Sequence, residues 1–423
     1  INPEAARTVG PRRRAGAARL PSIMVRYRTL TPRATLTALT LLCGCGGRSG
    51  EPATGPGVGV LGSPDSVTVW TAAQKAAGFP HMERIFPTRR VRAGLTPSVL
   101  PERPIDLKDV RFEADSVAYD LPLFLARHHV SGFLVLADGA VAYEGYRDGH
   151  GPAERWTSFS VAKSVVSLLV GAAVRDGAIR AVDDAVTRYL PALSGTSYEG
   201  VHVADLLQMA SGVSWNEDYL DLDSDVNRTF RLTLDEQLAY MGALPRVAAP
   251  GSIFNYNTGE TDMVGALVRA AVGDDLSEYL SRKIWEPAGM EADALWMLYD
   301  AGGGEYGGSG LNATLRDYGR IGLLALRGGA LPDGTHALPE GWMEESTTPS
   351  PANPGYGWFW WLQGGGAYAA LGIFGQMIWI DPSANLVIVT QSAWETPTGS
   401  FPAYFAMARA VTEAVSAVEA AGR

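Results

Sequence analysis

Cysteine is nearly missing from these 423 residues. There are two, Cys43 and Cys45, and none after them. A fold built from later residues therefore has no internal disulfide and no thiolate nucleophile. Lysine is almost as scarce: of 35 basic residues only Lys75, Lys108, Lys163 and Lys283 are lysines. The six histidines, His81, His128, His129, His150, His202 and His336, form no H-E-x-x-H or other compact ligand set, so no metal site is expected. No G-x-S-x-G occurs, which excludes the α/β-hydrolase elbow. The formal net charge of −10 argues against nucleic acid as a partner, because phosphate contacts need a basic surface.

The charge is unevenly spread. Residues 1–45 hold eight arginines and a single acidic residue, Glu4. After Met24 come Arg26, Arg28 and Arg33, then the apolar run TLTALTLL, then CGCGG. A basic start, a short apolar run and a small-residue exit have the form of a secretory signal. The run is too short to span a bilayer as a mature helix. Leu42-Cys43-Gly44-Cys45 resembles a bacterial lipobox with Cys45 as the lipidated residue. The expectation is an upstream or disordered segment over 1–23, a signal peptide with lipobox over 24–45, and a Gly/Pro/Ser-rich linker over 46–66. That places the protein in the bacterial cell envelope, secreted to the periplasm as a lipoprotein, with membrane contact only through the anchor.

With 46% hydrophobic residues, the remainder can bury a large core. SGFLVLADGAVAYEGY is two β-rich runs around Asp138-Gly139, a hairpin signal. A helix opens at Ser160 and stops near Asp176-Gly177, and another runs from Glu260 to Gly273. GYGWFWWL, GQMIWI and NLVIVTQS read as strands, with a turn at residues 381–385, and FPAYFAMARAVTEAVSAVEAA closes the chain as a helix. Strands at both ends with helices between imply an α/β (α+β) fold, an antiparallel sheet flanked by helices with an inserted, mostly helical domain. The boundaries are 67–157 and 307–423 for the sheet domain, and 158–306 for the helical domain.

One of the four lysines stands where charge is least welcome, in SFSVAKS, Ser158 to Ser164. Residues i and i+3 share a helix face, so Ser160 and Lys163 bring hydroxyl and amine together. Val161, Ala162, Val165 and Val166 make an apolar wall. Burial lowers a lysine pKa, whereas arginine cannot give up its proton. A neutral amine beside a hydroxyl is a general base beside a nucleophile. The helix start also supplies N–H groups where an oxyanion would form. Chance gives S-x-x-K about 0.3 times per chain, so further segments must carry the argument. PGSIFNYNTGET sets Tyr256 before a helix start, where a phenol can relay a proton; a core tyrosine is the bland alternative. ALGIFGQMIWIDP has a glycine-rich strand edge that lets backbone approach a ligand.

Together FLVLADGAVAYEGYRDG, SFSVAKS, WNEDYLDLDSD, FNYNTGET and GIFGQMIWIDP resemble the penicillin-recognising serine hydrolases, over about residues 120–415. The branch is that of class C β-lactamases and family VIII carboxylesterases, nearest the 6-aminohexanoate-dimer hydrolase type. The resemblance implies a β-lactamase/transpeptidase-like fold and a serine hydrolase with no cofactor. It implies Ser160 as the acylated nucleophile, Lys163 as its base and Tyr256 as the tyrosine of the Y-x-N element. Backbone N–H groups of Ser160 and Ile373 match the oxyanion hole. Tyr219 matches a loop tyrosine that closes over substrate, and Asn257, Thr258 and Gly372 complete the substrate-binding set. Two positions depart from the family pattern. Thr258 replaces the Asn of Y-x-N, and K-T-G falls on Ala370-Leu371-Gly372, without its lysine. That loss argues against efficient antibiotic hydrolysis and favours small ester or linear amide substrates.

Other readings stay open. The chain could be a non-catalytic penicillin-binding or sensory envelope module, or a D-aminopeptidase or weak β-lactamase. Asp221, Asp223 and Asp225 have calcium-loop spacing, but Val226 and Leu232 occupy the positions that need Gly and Glu. That stretch is a solvated acidic loop or, more sharply, an attractor for an amine-ended substrate. The run Trp358-Phe359-Trp360-Trp361 is expected in the core and the cleft wall.

Overall fold

A computed structural model of the chain describes residues 61–421. The expected signal, the lipobox with Cys45 and most of the linker lie outside the described residues. The main sheet has six strands: β1 (Val130–Ala137), β2 (Ala140–Tyr146), β3 (Trp361–Gly364), β4 (Ala367–Gly372), β5 (Gln376–Asp381) and β6 (Leu386–Ser392). Their order is β2-β1-β6-β5-β4-β3, antiparallel throughout. The β1–β2 turn places Asp138 at φ 49 and Gly139 at φ 76, the left-handed pair a two-residue hairpin needs.

Every residue of β1 is buried, so its sequence shows no polar alternation. Both faces of the sheet are covered. Leu134, Leu136, Ile378, Ile380, Val387 and Val389 join one core, with helices α2 (Val161–Arg175) and α4 (Leu315–Leu326). Phe133, Val135, Met377, Trp379, Leu386 and Ile388 join the other. That second core contains residues of the closing helix α5 (Phe401–Ala421) and Phe79, which follows helix α1 (Ala72–Gly78). Helix α2 is buried from Val161 through Ala173 and ends at Gly177, φ 76. A helix apolar on all sides belongs at the centre of a fold, and α2 carries Ser160 at its start. Helix α3 (Thr258–Val272) is capped by Asn257, whose Oδ1 accepts from Glu260 N at 3.0 Å, and ends at Gly273, φ 68.

One expectation needs correction. Of GYGWFWWL, only the part from Trp361 is strand. Phe359 sits at φ 62, its N–H donates to Leu207 O at 2.9 Å, and its carbonyl accepts from Ser164 Oγ at 2.6 Å. Those long-range bonds pull the segment out of the sheet ladder. The mostly helical stretch 158–306 includes a strand as well. It contributes strand Ala294–Met297 to a second sheet, between Thr88–Val91 and Leu311–Ala313, with Trp156–Thr157 at the far edge. Among the described residues no helix is long and apolar enough to cross a membrane.

Helix α4 lies close on the sheet because two of its residues are glycine. A Cβ at Gly319 would stand 2.7 Å from Leu134 Cδ2, and one at Gly322 only 2.5 Å from Val387 Cγ1. Gly322→Val is therefore expected to destabilise the fold by about 1–3 kcal/mol, the usual cost of overpacking. Urea denaturation should show a lower midpoint at an unchanged slope.

Candidate active site

The site is built where the start of α2 meets the end of β4. Gly372 permits the meeting, since a Cβ there would lie 2.5 Å from Ser158 O. Ser160 and Ile373 thereby line one cleft, a cavity of about 340 Å³. Among the described residues neither backbone N–H donates to another group.

Lys163 is 1% exposed and one turn on from Ser160. Its Nζ lies 3.1 Å from Ser160 Oγ, 3.0 Å from Thr258 Oγ1 and 2.8 Å from Gly308 O. Burial pulls the amine from its usual value near 10.5 down to about 8, while the negative charges of Glu217 and Asp262 work in the opposite direction. Tyr256 crosses over the amine, with Nζ 5.2 Å from the ring centroid. Trp361 stacks on the Tyr256 ring, with centroids 5.5 Å apart at 28°, and holds it in place. Desolvation and Glu217 raise the Tyr256 pKa, and an interaction with the Ser160 hydroxyl lowers it in part. The phenol stays protonated at neutral pH.

The structure brings Ser160, Lys163, Tyr256, Tyr219, Thr258, Gly372 and Ile373 to this one region. Asn257 is elsewhere: 1% exposed, its side chain caps α3 and does not line the cleft. The acidic residues Asp221 and Asp223 are exposed and outside the cleft lining. Trp361 is in the cleft wall, whereas Trp358, Phe359 and Trp360 are buried.

Three residues in the surroundings of Lys163 carry no role in the sequence reading. Glu217 accepts from Thr258 N at 3.0 Å, Tyr219 OH at 2.8 Å, the Thr258 hydroxyl and Trp215 Nε1. It joins the loop tyrosine to the lysine's threonine. The loop is held from below by Asn227, fully buried, whose amide nitrogen faces the carbonyls of Asp218, Tyr219 and Asp221 at 3.3, 3.2 and 2.9 Å. Gly308 is the second: a Cβ there would come within 2.8 Å of Thr258 Cγ2 and 3.2 Å of Lys163 Nζ. Third, Asp262 accepts from Gly308 N at 2.7 Å and so fixes the segment that faces the amine. Burial raises its carboxyl to about 6. The only signals in sequence were the glycine run around 307–308 and an acid inside a quoted motif.

Chemically, this is a hydroxyl whose proton can pass to a desolvated amine, next to a neutral phenol and two unengaged N–H donors. The Beta-lactamase family model matches residues 124–412. A 6-aminohexanoate-dimer hydrolase from Paenarthrobacter ureafaciens is 30% identical over 372 residues, covering 82% of this chain and 92% of that protein. Among solved structures, a Bacillus anthracis protein assigned provisionally as a 6-aminohexanoate-dimer hydrolase superposes with a TM-score of 0.76. It is 23% identical and covers 86% of this chain and 99% of its own. A family VIII carboxylesterase superposes at 0.55, with 16% identity over 69% of this chain and 94% of its own. With well over half its length matched, the chain belongs to the Beta-lactamase family and is one of its serine hydrolases.

Proposed function

We propose that the chain hydrolyses small esters and linear amides through an acyl-enzyme on Ser160. One observation carries the reading: of the three groups around Lys163 Nζ, only the Ser160 hydroxyl has a proton to give. The Gly308 carbonyl only accepts, and the Thr258 hydroxyl donates its own proton to Glu217. A neutral amine thus directs its two N–H bonds at those groups and its lone pair at Ser160. Lys163 takes the serine proton as Ser160 Oγ bonds to the substrate carbonyl carbon. The carbonyl π electrons move to oxygen, which the N–H groups of Ser160 and Ile373 stabilise. On collapse the leaving group departs with a proton from Tyr256, which the Lys163 ammonium replaces. Water, deprotonated by the same pair, then releases the acid and restores Ser160.

The cleft suggests the substrate class. Trp361, Leu371, Phe401 and Phe405 give it apolar walls, and Glu217 is the only charged residue among those described in its lining. Among the described lining residues none is a Lys or Arg that could meet a substrate carboxylate, and Ala370 stands where K-T-G has lysine. Neutral acyl chains fit, and an ammonium end is tolerated beside Glu217. The named relative supports linear amides of the 6-aminohexanoate kind within this range. For the amino-terminal segment we propose envelope anchoring through Cys45.

Lys163→Arg keeps a cation that cannot deprotonate and should lower kcat by about 10²–10⁴-fold, as should Ser160→Ala. Undiminished turnover in either would defeat the mechanism. In the wild type, kcat/KM should rise with pH and level off above about 8, where Lys163 is neutral; a flat profile from pH 6 to 9 would contradict the base assignment. In a substrate panel, nitrophenyl esters and a 6-aminohexanoate dimer should turn over well ahead of nitrocefin. A burst of one equivalent without cycling would instead favour a penicillin-binding or sensory module. Cys45→Ala should move the protein from the membrane fraction to the soluble one, and unchanged partitioning would refute the anchor.

A further inference from the structure

The residues flanking the two proposed oxyanion donors hold backbone conformations that side chains disfavour. Phe159, just before Ser160, has φ 41, and Phe374, just after Ile373, has φ 71. Such conformations cost about 1–3 kcal/mol each and persist only where the surroundings hold them. Here aromatic rings do so. Phe159 and Phe374 meet edge to face, with centroids 5.3 Å apart, and both meet Phe79, at 5.1 and 5.5 Å. The Phe79 carbonyl also accepts from Thr157 N at 3.1 Å, in the strand that leads into Ser160.

Phe374 is gripped from its other side. Lys75 Nζ sits 4.1 Å from its ring centroid and donates to the carbonyls of Trp394 and Glu395, each at 2.7 Å. The Phe374 N–H donates to Pro397 O at 3.2 Å, and its carbonyl accepts from Trp394 N at 3.1 Å. One amine therefore pins both the ring and the loop bonded to that ring's backbone, through a cation–π contact and two charge-assisted hydrogen bonds. Lys75 is 1% exposed, faces no part of the cleft lining and has no place in the chemistry above. Lys75 and Phe79 both precede residues 124–412, the stretch the family shares.

We propose that Lys75 and Phe79 are positioning residues for the oxyanion hole: helix α1 and the residue after it brace Phe159 and Phe374 so that the N–H groups of Ser160 and Ile373 converge on one point. The proposal rests on the Ser160 acyl-enzyme reading. Its chemical logic is that of preorganisation, since donors must be aimed before the oxyanion forms and a small misplacement is costly in rate.

The test uses the full chain with Lys75→Met, Phe79→Ala and Phe79→Leu, assayed on a nitrophenyl ester. Lys75→Met and Phe79→Ala should lose about ten- to a hundredfold in kcat with KM nearly unchanged. Affinity for an alkylboronic acid, which forms a tetrahedral adduct on serine, should fall by a similar factor. Affinity for a non-hydrolysable ether analogue of the ester should hold. Phe79→Leu should recover most of the rate, and it carries the test with Lys75→Met if Phe79→Ala does not fold. Folded variants with wild-type kcat would overturn the proposal, as would parallel losses for boronate and ether. A fluorophosphonate adduct mapped to Ser160 in the wild type checks the underlying reading separately. Absence of that adduct would remove the reading and the proposal together.

Discussion

A dry amine is the constraint on which this site depends. In water Lys163 would hold its proton until near pH 10.5, and presenting it as a base at pH 7 would cost about 5 kcal/mol. With burial bringing it to about 8, the cost falls to about 1 kcal/mol. That shift requires exclusion of water on every side. Helix α2 is buried from Val161 through Ala173, Gly308 brings backbone close where any larger residue would stand off, and the Tyr256 ring lies over the amine. The central helix and the buried amine are thus one design: the packing that places α2 also lowers the pKa of Lys163.

The site does not push this as far as burial alone would allow. Glu217 and Asp262 draw the lysine back towards its charged form. A fully neutralised amine would accept a proton from Ser160 poorly, because the product ammonium would have no compensation. In the proposed mechanism, two nearby carboxyls leave the amine able to hold a proton briefly and return it through Tyr256. Each acid also has a structural attachment, Asp262 to Gly308 N and Glu217 to Thr258 and Tyr219. The charges that moderate the base therefore also fix the groups that surround it.

What could be read from sequence follows from how local each signal is. The hairpin at Asp138-Gly139 and the helix stops at Gly177 and Gly273 depend on conformations a few residues decide, and they appear where expected. Ser160 and Lys163 share a helix face by spacing alone. Glu217 and Asp262 matter only because distant segments deliver them to the same amine, which no local pattern reveals. The loop at Tyr356–Trp360 has the composition of a strand, yet bonds to Leu207 and Ser164 decide its course. Asn257 was legible in a different sense: an Asn directly before a helix is a common N-cap, and that local role is the one it plays.

The missing lysine of the K-T-G position shows how specificity is tied to packing. Ala370 is fully buried, paired with Ile378 in the sheet and part of the same core as Val161 and Ala162 of α2. A lysine there would bring a second cation into the core that strips water from Lys163, with no described carboxylate in the cleft except Glu217, already bonded to its own partners. An unpaired buried charge costs several kcal/mol. On the proposed reading, restoring the family residue would therefore not restore a carboxylate site, since Ala370 is enclosed in the core. On the proposed reading, the cleft's lack of a carboxylate partner belongs to the wall as a whole, and a change of substrate class would have to begin with the packing of β4 against α2.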